Sequence, residues 1–316
     1  MNALPRSLAG YILKFSGRHQ LALCLLSVVV FALSAVPLEL QRRIVNDAID
    51  KGDWSVIAWL AAAYVGVALA EGGVKLLMNV YRSWVSENAV RHLRNLALSS
   101  ADAPAAAESG MEGVELAMVL SEVEPVGGFI GSSTSEPVLQ GGILAAVFGY
   151  MLYLEPVLAG LCLLVFSPQL VFVPLMQAAI NRRVEKRVLT MRGISDGILG
   201  SGAADAQRRR VDDVFELHMG MFKLKYGMNF LMNLTHHTGV AAALAFGGWY
   251  VLRGHIELGT VVAFISGLAK VNDPWGDVVN WFRDLTVNLV KYRLIADALA
   301  RMGAVDAGQS PLAAAA

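Results

Sequence analysis

Cysteine is nearly absent from this sequence. Only Cys24 and Cys162 occur, each inside an apolar stretch, which excludes a disulfide framework and a cysteine metal site and leaves two buried thiols as the expectation. Charge is short as well: Asp, Glu, Lys and Arg make up 16% of the 316 residues, against about 25% in soluble domains. Zero formal net charge says little by itself, and no nucleic-acid partner is expected. Also missing are Ser/His, paired-Asp and His/Glu metal arrangements at helical spacing, which argues against an intramembrane enzyme.

What is present is apolar. Hydrophobic residues make up 55% of the chain and mean hydropathy is +0.51, the composition of an all-α integral membrane protein. Residues 1–20 mix charge with a short helix-like run and have no small-residue cleavage site after them, so they read as a helix at the membrane surface and not a removable signal. Apolar spans follow at Leu21–Leu40, Val56–Val80, Val126–Leu154, Val157–Ile180 and Phe230–Leu252, with a sixth beginning at Leu258.

The sixth is longer than a bilayer needs. From about Leu258 to Leu299 it would extend on the order of 60 Å, twice the hydrocarbon thickness. Pro274 marks an expected kink. Beyond it Val278, Phe282, Leu285, Leu289, Tyr292, Ala296 and Leu299 recur at steps of four and three, a seam that wants a partner helix. Connections alternate between long and very short, and Lys and Arg gather on one side. The block Asn181–Asn229 alone holds ten of them, whereas the opposite turns hold Arg42, Arg43, Lys51 and Arg253. That asymmetry places both termini in the cytoplasm, most simply across a bacterial inner membrane. Trp54, Trp59, Trp84 and Trp249 fall near span ends, as interface anchors do.

Ionisable and polar groups at membrane depth are the candidate pathway residues: Glu71, Lys75, Asn79, Glu136, Asn233, Lys270, Asn272 and Asp273. Glu71 and Lys75, at i and i+4, are expected to pair on one helix face. Lys270, Asn272 and Asp273 flank the Pro274 kink, where they either satisfy freed backbone groups or line a cavity. Glu136 has no evident partner. His236 and His237 point to different helix faces, against a shared metal site. Met219, Met221, Met228 and Met232 read as ordinary packing.

Three stretches resemble the membrane domain of ATP-binding-cassette exporters: LRGHIELGTVVAFISGL with Asp273–Trp275, Tyr292–Ile295, and the first-span segment Val36–Asp53. The resemblance covers about Leu4–Leu299 and implies a domain over residues 21–302, with a flexible tail over 303–316. It implies six long helices, a dimer with a second copy or a homologous membrane subunit, and alternating access driven by a cassette ATPase that binds ATP and Mg. The family's second inner loop carries Glu-x-x-x-Gly followed by Val-Lys. The nearest match is Asp196 to Gly200, continued by Ser201, and the other ATPase-coupling element would hold Ala105, Glu108 and Gly110. The chain has no G-x-x-x-x-G-K-[ST], so it would bind no cofactor itself. The ATPase would be a separate chain, or lie beyond this sequence, or have been lost. The alternative is a non-transporting scaffold or regulator built on the same fold.

Overall fold

The computed structural model describes residues 5, 7–49, 52, 54–101, 123–199 and 204–308. Among them there is no strand. Helix α1 is Leu8–Arg43, continued by a π-helical turn at Ile44–Ile49. Then come α2, Trp54–Ala101, α3 over 123–132, α4, Ser135–Leu154, and α5, Pro156–Phe166. The last three are α6, Gln169–Leu199, α7, Ala204–Leu252, and α8, Leu258–Gly308. Among the described residues four segments are long and apolar enough to cross a membrane: Leu8–Asn46, Trp54–Leu96, Ser135–Leu154 and Pro156–Met191. The expected fifth and sixth spans, in α7 and α8, are not among these four.

The breaks follow local chemistry. Tight turns separate α4 from α5 and α7 from α8. Pro156 opens α5 at its first turn, where its missing N–H costs nothing. Gly254, at φ +72, closes α7: its N–H donates to Val251 O at 2.9 Å and that of His255 to Tyr250 O at 3.0 Å, a paired bond pattern that needs a left-handed residue there. The third and fourth expected spans are each divided, by turns at Ser133–Thr134 and Ser167–Pro168. Pro168 cannot donate to Leu164 O, and the Ser167 hydroxyl does so instead at 2.8 Å. Pro174 and Pro274, by contrast, lie inside continuous helices. No helix end falls at residue 20, since α1 runs through it.

The chain divides into two compact units. One takes in described residues of Met1–Pro37, Ala61–Ala146 and Asn280–Ala316; the other takes in those of Leu38–Leu60 and Val147–Val279. The core of the first is a cluster in which Leu8, Tyr11 and Ile12 of α1 meet Val85, Ala89 and Leu93 of α2 and Tyr292 and Ile295 of α8. The apolar seam of α8 thus finds its partner within the chain: Leu285, Leu289 and Ala296 pack on that core. Phe282 departs from the expectation. It is 59% exposed, and Trp281 packs inward in its place. The second unit is built on the α6–α7 pair, with α5 against α7.

Candidate functional site: polar groups at membrane depth

In the first unit two glycines let α3 touch α2. A Cβ on Gly127 would lie 2.9 Å from Val90 N, and one on Gly131 would lie 2.4 Å from Arg82 O. Backbones this close bring Glu136 opposite Arg82, with Nη1 and Oε2 2.5 Å apart and both side chains more than four-fifths buried. Gln140 Nε2 donates to the other carboxylate oxygen at 2.8 Å. Glu136, whose partner the sequence did not identify, therefore sits in a neutralised pair. Two Arg82 nitrogens, Nε and Nη2, are buried without a hydrogen-bond partner.

The nearby helix break at Ser133–Thr134 is stitched by distant side chains. Gln20 Nε2 donates to Ile130 O at 2.7 Å, and the Thr134 hydroxyl donates to Gln20 Oε1 at 2.5 Å. Trp281 Nε1 donates to Ser133 O at 3.0 Å and Ser27 Oγ to Ser135 O at 3.1 Å. Non-helical backbone at membrane depth survives only when such partners are supplied. Toward the helix ends, His19 Nδ1 lies 2.6 Å from the Tyr81 hydroxyl, the Tyr11 ring lies tilted against that of Tyr292 at 5.6 Å, and Tyr292 donates to Pro5 O at 2.7 Å.

The second unit has a charged cluster and a cavity. Glu39 accepts from Arg42, Arg43 and Tyr150 at 2.5–2.9 Å. Asn46 donates to Glu257 at 2.5 Å, and its carbonyl accepts the Gly259 N–H at 2.6 Å, capping the first turn of α8 from outside the helix. The cavity is lined by Cys162, Phe166, Gln169, Thr235, His236 and Asn272, with Val165, Gly239 and Leu268. Between α6 and α7 an open groove sets Arg183 and Lys186 across from Asp213 and Glu216.

The expected pathway residues scatter. Glu71, Lys75, Asn79 and Glu136 lie in the first unit; Asn233, Lys270, Asn272 and Asp273 lie in the second. Glu71 is half-buried and Lys75 exposed, and among the described residues no ion pair joins them: a spacing of four permits contact but does not impose it. Asn79, Asn233 and Asp273 are exposed, Lys270 half-buried. Glu136 sits in a buried pair and Asn272 in a cavity wall. Of the coupling candidates, Ala105, Glu108, Gly110, Gly200 and Ser201 lie outside the described residues, and Asp196 is placed only as part of α6. Sequence reasoning missed Arg82, Gln20 and Gln169; their signal was a polar side chain near or inside an apolar run. Cys24 and Cys162 are free thiols. The rings of His236 and His237 meet edge to face, with centroids 5.4 Å apart, and no group of three metal-binding side chains occurs among the described residues.

Long apolar helices define an integral membrane protein of all-helical class. Residues 20–195 match the model of the ABC transporter transmembrane region, more than half of the chain, and the protein belongs to that family. The match takes in the first-span segment that carries part of the resemblance and ends before α7 and α8, which carry the rest. No family model of an ATPase domain matches. No curated protein matches the chain. Domains of this family generally work in a membrane with a nucleotide-binding domain.

Proposed function

We propose that this chain is the membrane subunit of an ATP-driven exporter: six spans, both termini cytoplasmic, working as a dimer whose central pathway opens alternately to each side. The observation that carries the reading, beyond family membership, is helix length. Helices α2, α7 and α8 have 48, 49 and 51 residues, about 72, 74 and 77 Å at 1.5 Å per residue, against about 30 Å of hydrocarbon. Such rods project well past the bilayer, and closure of two ATPases would draw their ends together as rigid bodies. The clustering of Lys and Arg supports a cytoplasmic location for the projecting ends.

ATP and Mg belong to the partner. The chain has no Lys-bearing glycine loop, and the glycine-rich stretch beginning at Gly197 starts on the last turn of α6 instead of following a strand. Purified alone it is expected to hydrolyse no ATP above background. Affinity purification from native membranes, followed by mass spectrometry, should recover a cassette ATPase, and the reconstituted pair should turn over ATP. A stable homodimer that never recovers an ATPase would refute the exporter reading and favour a scaffold.

A further inference from the structure

The cavity among α5, α6, α7 and α8 is lined by two carboxamides whose oxygens have no hydrogen-bond partner. Gln169, 1% exposed, has no partner for its Oε1, and Asn272 has none for its Oδ1; both line the same space. A buried acceptor without a donor bears its full desolvation penalty, so native interiors supply one. The remaining walls offer Cys162, His236 and Thr235, whose hydroxyl already donates to Leu231 O at 2.9 Å. No carboxylate lines the cavity, so a cation there would have no counter-charge. An apolar guest would leave both acceptors unpaired.

We propose that this cavity is a built site for a bound water molecule that donates one O–H to Gln169 Oε1 and the other to Asn272 Oδ1. Size agrees with number. The room open to the centre of a water is about 10 Å³, at the lower edge of the 10–15 Å³ that about one water requires, and two to four polar partners are what such a water needs. The water joins α6 to α8 within the second unit, where the turn at Ser167–Pro168 leaves Gln169 as the first residue of α6.

The test is hydroxyl-radical labelling of the full-length protein in lipid nanodiscs. Synchrotron radiolysis makes radicals from any water, bound or bulk; peroxide photolysis makes them only in bulk. Cys162 is 0% exposed, so a bound water predicts several-fold more Cys162 oxidation by radiolysis than by photolysis. Gln169→Met, which keeps the volume and removes the acceptor, should abolish that excess and lower the melting temperature, because a satisfied bridge is lost. Equal labelling of the native protein by the two methods would overturn the proposal, whether or not the variant folds. So would a higher melting temperature for Gln169→Met, the result expected if the carboxamide faces a dry void.

Discussion

Replacing Gly131 with alanine adds one methyl group where two helix backbones meet. That Cβ would sit 2.4 Å from Arg82 O and 2.2 Å from Ser86 Oγ. Serine can rotate away; the carbonyl cannot, so α3 must move off α2. Overpacking of this kind costs about 1–3 kcal/mol. The displacement also strains the Arg82–Glu136 pair one turn on, so the upper end of that range is expected. At about 2 °C per kcal/mol for a chain of this length, the melting temperature should fall by about 6 °C. Gly128 supplies the control. It lies on the same helix, but a Cβ there meets nothing within 4 Å, and Gly128→Ala should be neutral or stabilising by up to about 1 kcal/mol through helix propensity. Thermal unfolding of both variants in nanodiscs, followed by tryptophan fluorescence, compares the two signs. If Gly131→Ala melts at or above Gly128→Ala, the close approach of α2 and α3 is wrong.

Three further outcomes follow from side chains already placed. Glu136→Gln leaves Arg82 buried without its counter-charge and should destabilise by about 3 kcal/mol, while Arg82→Met with Glu136→Gln should recover much of that, a double-mutant cycle that strict additivity would sink. Asn46→Ala removes the acceptor of the Gly259 N–H and should cost about 1 kcal/mol, read as faster hydrogen exchange confined to the first turn of α8. Burial pushes the Tyr292 phenol up to about 12. Its folded value lies above the ordinary 10, so the folded state keeps the proton longer: its contribution is intact below pH 10 and lost as pH rises toward 12. Tyr292→Phe should therefore flatten the alkaline fall in stability between pH 10 and 12, and an unchanged fall would assign it to other groups.

Helix positions were largely legible in the sequence, because long apolar runs bounded by Gly and Pro leave few other readings. The break between the spans ending at Leu154 and beginning at Val157 was readable for that reason. Prolines were less so. Pro168 follows the end of a helix while Pro174 and Pro274 sit inside theirs, and hydropathy does not distinguish the three. The site was hardest. Glu136 is visible as a charge at membrane depth, but its partner Arg82 lies 54 residues away, and only the glycine contacts of α3 explain why the two meet. Glu71 and Lys75 show the converse: proximity along a helix suggested a pair that tertiary packing does not form.

The break at Ser133–Thr134 also sets a schedule for making the protein. Its Ser133 carbonyl is bound by the indole of Trp281, 148 residues downstream, which at about 5–20 residues per second reaches the membrane about 7–30 s later. Gln20 is already there to hold Ile130 O and Thr134. Until α8 is made, the turn between α3 and α4 is therefore held from one side alone, by Gln20, and its Ser133 carbonyl lacks the indole donor it has in the finished chain.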